Sequence, residues 1–271
     1  MNKVEYLYQP THALMQTAFT QPSPALWRNC PWAEYKMYGN GITFWEDFLA
    51  FPATAEDATG NGWLYAGVNA VTTALQTDQV GGVIRIGATG ATHDECSLQY
   101  STIGGMVKFT AGKPLWFEAR VKPSAIAAQG LFIGLAEEGA AADEFMVDTS
   151  AVLVTTKDMV GFRTIAATPT KLDAIYQKGS QTLGSVKTGA VTMVATEWYK
   201  LGYYFDGRKL YYYTDGVELP ATTTHPVSQT ILTGSTFPDG EEVSPIFAVK
   251  TTAGVVKYLD IDWVKVAMER P

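Results

Sequence analysis

The chain has 271 residues, 46% of them hydrophobic and 17% charged, a balance that buries a full core in water and excludes disordered, collagen-like and membrane classes. Its 20 Lys and Arg stand against 27 Asp and Glu, a formal charge of −7 with no basic run to follow a phosphate backbone, so nucleic acid is not an expected partner. No stretch approaches the roughly 18 apolar residues of a membrane span, and Met1 to Pro10 lack the apolar block of a signal peptide, so the expectation is a protein made in a cytoplasm without a membrane partner.

Cys30 and Cys96 are too few for a disulfide scaffold, and two free, partly buried thiols are expected. The 25 Gly, 14 Tyr, 12 Phe and 7 Trp suit short strands and tight turns, so the expected class is all-β.

In chain order, residues 1–41 come first. Pro10, Pro22, Pro24 and Pro31 repeatedly interrupt backbone pairing, which predicts an extended arm. Tyr6, Tyr8, Phe19, Trp27 and Trp32 are too aromatic for a freely solvated tail, so the arm is expected to lie on its own domain or on a neighbour. From residue 42 the texture becomes that of strands: Ile42–Phe51, Trp63–Tyr65, Val68–Leu75, Val83–Ile86, Cys96–Tyr100 and Met106–Phe109, each bounded by turn residues.

Leu115–Lys122 alternates Leu115, Phe117, Ala119 and Val121 with Trp116, Glu118, Arg120 and Lys122, predicting one buried and one largely wet face. Gly130–Ala136 is apolar on both sides, as a central strand between two layers should be. The acidic loop after it, Glu137 to Asp148, has local helix propensity interrupted by Gly139 and predicts at most a short helical turn.

Ala151–Val154, Met159–Arg163, Leu172–Gln177 and Thr182–Val186 continue at the spacing of a sandwich or barrel. Trp198–Leu219 reads as two hairpins closed at Asp206-Gly207 and Asp215-Gly216, dipeptides suited to type I′ turns. Val255–Val266 reads as one long terminal strand. With no linker after residue 42, the expectation is one sandwich domain, 42–271, carrying the arm 1–41.

Trp198-Tyr-Lys-Leu followed by Phe205-Asp-Gly and Leu210-Tyr-Tyr-Tyr-Thr-Asp-Gly216 resembles the concanavalin A-like lectin/glucanase superfamily in its laminin-G-like form. Leu115–Lys122, Gly130–Leu135 and Ile261–Val266 resemble its other recurrent strands. The resemblance covers roughly residues 45 to 267 and implies a jelly roll of two stacked, curved antiparallel sheets. Within the superfamily, the acidic, His-poor chain with its Pro- and aromatic-rich arm is most similar to virion structural proteins of tailed bacteriophages, including capsid decoration (cement) proteins.

The sequence carries no catalytic signature. The Glu-x-Asp-x-Glu strand pattern of glucanases of this fold is absent. Asp260 and Asp262 share a strand face, but they read as an exposed edge solubilised by charge. His93-Asp94-Glu95-Cys96 cannot converge on a metal, because adjacent strand residues point to opposite faces. The loop from Glu137 to Asp148 reads as solvated in preference to calcium-binding. No nucleophile elbow, dinucleotide fingerprint or phosphate loop occurs, so no enzyme, metal or cofactor is expected.

The aromatics Trp198, Tyr203, Tyr204, Tyr211, Tyr212 and Tyr213 could stack on pyranose rings. Alternation puts Tyr211 and Tyr213 on one face and Tyr212 on the other, leaving Trp198, Tyr211 and Tyr213 as the candidate glycan contacts. The leading expectation is a non-enzymatic protein on the surface of a phage virion, forming dimers or trimers. Tyr6, Tyr8, Phe19, Trp27 and Trp32 would then contact the major capsid protein. The alternative is a carbohydrate-binding module of a phage tail or fibre.

Overall fold

The structure, a computed structural model, describes residues 20–31, 41–51, 62–68, 71–77, 81–100, 104–142, 144–147, 150–220 and 236–270. The expected contacts Tyr6, Tyr8, Phe19 and Trp32 lie outside these residues. The described residues form one short helix, α1 (Pro24–Trp27), and eighteen strands. The first nine strands are β1 (Gly41–Glu46), β2 (Trp63–Val68), β3 (Val71–Leu75), β4 (Ile84–Ala88), β5 (Glu95–Tyr100), β6 (Val107–Lys108), β7 (Leu115–Pro123), β8 (Gln129–Glu137) and β9 (Met146–Val147). The rest are β10 (Val152–Leu153), β11 (Met159–Thr164), β12 (Lys171–Gln177), β13 (Gly184–Thr192), β14 (Tyr199–Phe205), β15 (Leu210–Thr214), β16 (Val217–Glu218), β17 (Glu242–Thr251) and β18 (Lys257–Glu269).

Two antiparallel sheets stack face to face, a jelly-roll sandwich. The first runs β16-β15-β14-β7-β18-β4-β3, with β1 beside the second half of β18. The second runs β13-β12-β11-β8-β17-β5-β2, with β6 beside the start of β17. The core between them takes every second residue of each strand: Phe117, Leu201, Tyr203 and Tyr212 meet Leu131, Ile133, Val160 and Phe162. The two buried phenols keep their hydrogen bonds by reaching across the core, Tyr203 Oη donating to Val160 O at 3.3 Å and Tyr212 Oη to Ile175 O at 2.5 Å.

β8 is apolar on both sides for the reason its sequence suggests. Its inward residues enter the main core, while Phe132 and Ala136 pack outward against Phe145, Met146, Ala151 and Leu153. Those four belong to a flap, described over residues 138–142, 144–147 and 150–158, that lies over the outer face of the second sheet. Within it the expected helical turn is a single 3-10 turn, Ala140–Ala142, and β9 pairs with β10.

Five sequence readings change. The second face of β7, expected to be largely wet, is buried: Trp116, Glu118 and Arg120 are 1%, 0% and 8% exposed, because residues 20–31 and the Trp198 ring cover them. β17, central in the second sheet, has no counterpart in the sequence reading, and it carries Pro245, a residue ordinarily confined to edge strands. Pro245 is tolerated because it falls between the residues paired with β6 (Glu242, Val243) and those paired with β5 (Ile246–Lys250). β18 is one long strand but not an exposed edge: it lies between β7 and β4, and Asp260 and Asp262 are only 3% and 7% exposed.

Its alternation also breaks. A bulge between Ile261 and Trp263 inserts Asp262 opposite β7, so Leu259 and Ile261, then Val264 and Val266, face the core. Of the two Asp-Gly turns, Asp215-Gly216 has both φ angles positive (50° and 80°), as type I′ requires, whereas at the other only Gly207 does. There Asp206 keeps an ordinary φ, and its Oδ1 accepts the N–H groups of Arg208 and Lys209, closing a longer turn.

Candidate functional site

The outer face of the second sheet is closed. β5 presents Glu95, Ser97 and Gln99 there at the i, i+2, i+4 spacing that puts glucanase carboxylates on one face, but only one of the three is acidic and all are buried. Glu95 Oε1 accepts Phe145 N–H at 3.0 Å and Oε2 accepts Met146 N–H at 2.9 Å. Gln99 donates to Glu137 O and accepts Ala141 N–H. Lys250, fully buried, donates to Glu144 Oε1 at 2.7 Å and Met146 O at 2.6 Å, and lies 3.4 Å from Glu95 Oε2. This network fastens the flap, so the face is filled by the chain itself. Cys96, between Glu95 and Ser97, points into the core, as strand alternation demands.

The outer face of the first sheet is open at one end, where a pocket of about 230 Å³ lies between the segment 20–31 and β14–β16. Its floor is aromatic. Tyr204 stands between its cross-strand neighbours Trp116 and Tyr211, the three rings stacking at centroid separations of 5.0 and 5.9 Å. Tyr213 adds a fourth ring.

Two carboxylates fix the phenols: Tyr211 Oη donates to Asp206 at 3.2 Å and Tyr213 Oη to Glu218 at 3.3 Å. Burial, then the neighbouring Glu218, pushes the Tyr213 phenol up to about 12, so it stays a proton donor. Arg28 and Asn29 form the opposite wall, beside Ala25 and Leu26. The arrangement offers rings for an apolar ligand face, with carboxylates, an amide and a guanidinium for hydroxyls.

The sequence candidates separate as follows. Tyr211 and Tyr213 meet in the pocket. Tyr203 and Tyr212 are core residues, as the alternation of β15 implied for Tyr212. Trp198 is not among the pocket residues: its ring carries Arg120 at 4.2 Å and Lys122 at 4.7 Å. Trp27, expected to face a partner, is buried on its own sandwich, with Nε1 donating to Glu118.

Asp260 and Asp262 are not a free carboxylate pair. Arg85 and Lys122 hold the first, and Arg120 holds the second. Among the described residues no cluster of His, Cys, Asp or Glu is placed to hold a metal ion. The sequence reading missed the contributions of Trp116, Asp206, Glu218 and the 25–29 wall. Pairing of β7 with β14 brings in Trp116, but nothing local places residues 25–29.

No protein-family model matches the chain, and no curated protein matches it. Solved structures do match. A protein of unknown function from Shewanella oneidensis MR-1 is similar at TM-score 0.54 and 13% identity, covering 98% of this chain and 97% of its own. Peanut lectin, solved with a nine-residue peptide, is similar at 0.55 and 12%, over 85% of this chain and 98% of the lectin. A glycoside hydrolase family protein from Mycobacterium thermorestibile is similar at 0.52 and 13%, over 82% and 99%. At these identities the fold is what is shared, and it is the jelly roll of the lectin and the glycoside hydrolase family protein.

Proposed function

We propose that the protein is a non-enzymatic saccharide-binding module whose ligand occupies the pocket between residues 25–29 and β14–β16. The observation that carries this reading is the group of half-buried rings Tyr204, Tyr211 and Tyr213, seated on buried Trp116 and flanked by Asp206 and Glu218. A pyranose has one apolar face and a hydroxylated rim, and such a site matches both. The fold shared with peanut lectin supports it.

The carboxylates support binding over hydrolysis. Glu95, Asp260 and Asp262 are ion-paired, and Asp206 and Glu218 hold phenols, so none of these five described carboxylates stands as a free acid or base. A glycan array followed by calorimetry on the strongest ligand tests the reading. Tyr211→Ala and Tyr213→Ala, both at partly exposed positions, should abolish binding while leaving the melting temperature within a few degrees. Unchanged binding in both variants refutes the pocket.

A second reading keeps the role expected from the sequence, decoration of a phage capsid. It is supported by the Pro- and aromatic-rich sequence of residues 1–41, of which Thr20 is held on the outer face by its carbonyl, the acceptor of Trp263 Nε1–H at 2.6 Å. Co-sedimentation with phage heads, with copies counted per particle and oligomeric state measured by light scattering, tests this reading. Saturable binding supports it and absence of binding refutes it.

A further inference from the structure

We propose that residues 20–31 form a latched wall of the pocket and that Glu118 is the residue that positions them, so that the pocket exists only while this segment is held to the sheet. The proposal takes the nature of the ligand from the saccharide reading, but the latch stands on contacts of its own.

Four helical residues have no stability by themselves, and Ser23 gives α1 no side-chain cap. The position of α1 must therefore come from the sheet. Glu118, fully buried on the outer face of β7, uses a single oxygen, Oε2, to accept Ser23 N–H at 2.8 Å and Trp27 Nε1–H at 2.7 Å. These two donors bracket the helix, one before its first residue and one at its last, so one carboxylate sets both its place and its rotation.

The rest of the seat is complementary. Lys200 Nζ donates to Gln21 O at 3.2 Å, Lys265 lies 4.3 Å from the Trp27 ring centroid, and Leu26 and Trp27 pack on Trp116 and Ala267. The sheet also makes room: a Cβ at position 202 of β14 would come within 2.6 Å of Leu26 Cδ2. Once Leu26 and Trp27 are seated, Ala25, Arg28 and Asn29 are carried to the pocket's edge. Tyr204 and Tyr213 pack against the same apolar cluster, so release of the segment would uncover both rings.

An acceptor oxygen is needed at this spot for a physical reason. Without it two buried N–H groups would be stranded, and a carboxylate or an amide oxygen has the two acceptor sites that they use. Burial pushes the Glu118 carboxyl upward, and the bonds from Ser23 and Trp27 together with nearby Lys200 oppose that.

The test compares wild type, Glu118→Ala, Glu118→Gln and Trp27→Phe by three readouts. The first is the rate of tryptic cleavage at Arg28. The second is nitration of Tyr204 and Tyr213 by tetranitromethane, with Tyr258 as internal control. The third is affinity for methyl α-D-mannopyranoside, methyl β-D-galactopyranoside and N-acetyl-D-glucosamine. Glu118→Ala should raise cleavage at Arg28 and nitration of both tyrosines at least tenfold without changing Tyr258, and should abolish binding of any panel sugar that wild type binds. Glu118→Gln, which keeps an acceptor oxygen, should restore most of each.

If Glu118→Ala fails to fold, Trp27→Phe, which keeps a ring but removes the indole N–H, should give the same pattern at smaller amplitude. If cleavage and nitration rise but no panel sugar binds wild type, the latch stands and the saccharide reading loses its support. Unchanged cleavage and nitration overturn the latch. Faster cleavage with unchanged tyrosine nitration or unchanged sugar affinity overturns the role as a pocket wall.

Discussion

Replacing Lys250 with Met removes the one cation inside the network that fastens the flap. The Lys250 side chain is fully buried and that of Glu95 is 2% exposed, with 3.4 Å between Nζ and Oε2. Truncating one partner of a buried ion pair costs about 3–5 kcal/mol, because the other charge is left uncompensated. Glu144, the second carboxylate on Lys250, is 44% exposed and is resolvated by water, so its share is small. The expected loss therefore stays at about 3–5 kcal/mol, read from the denaturant midpoint at constant slope.

Two further measurements separate the charge from the packing. Glu95→Gln in the Lys250→Met background removes the stranded charge and should recover part of the loss, which a double-mutant cycle measures. The pH dependence has a definite sign. Burial already raises the Glu95 carboxyl, and the charge of Lys250 is the largest opposing influence. Without Lys250 the folded-state value rises further, so the penalty shrinks as acid protonates Glu95 and grows toward neutral pH. A loss below about 1 kcal/mol, well under the cost of a stranded buried charge, or a penalty that does not change between pH 5 and 8, refutes the reasoning.

Gly134 of β8 opposes Gly161 of β11, and a Cβ on Gly134 would lie 2.2 Å from Val160 O, so Gly134→Ala should cost about 1–3 kcal/mol or more by calorimetry; a neutral variant refutes this close approach. Burial raises the carboxyls of Glu95, Glu118, Asp158, Asp215 and Asp262 in the folded state. Groups shifted this way favour folding when protonated, so their contribution is fully present below the ordinary carboxylate range and is lost as pH rises through the raised values. The melting temperature should be higher at pH 5 than at pH 8, and the reverse order contradicts the prediction. Burial also pushes the Cys96 thiol up to about 12, and both cysteines are buried thiols outside any disulfide. Neither should react with a disulfide reagent in the native state and both should react in guanidinium; rapid native labelling of Cys96 counts against its core position.

The sandwich was legible because a half-buried strand writes its burial into every second residue. That is how Leu115–Lys122 shows its core face and how Tyr212 separates from Tyr211 and Tyr213; the other face of Leu115–Lys122, which reads as largely wet, is covered by residues 20–31, which no local pattern places there. The same rule misled where pairing departs from regularity. The bulge at Asp262 cannot be seen in alternation alone, and the central position of β18 makes buried ion pairs of carboxylates that read as a solvated edge. β17 has no counterpart in the sequence reading, and only the arrangement of β5 and β6 along that strand shows that the missing N–H of Pro245 falls in a gap.

By itself, then, the sequence determined the fold class, the facing of the Tyr residues on β15 and the absence of a glucanase carboxylate triad, all properties of residues close together along the chain. Tertiary structure alone decided the site. The pocket joins residues 25–29, 116 and 204–218, the flap closes the opposite sheet through Glu95 and Lys250, and Trp27 turns inward to a carboxylate 91 positions away. Local pattern records only which side of a strand or helix meets apolar surroundings; which distant segment supplies them is settled by strand order and packing.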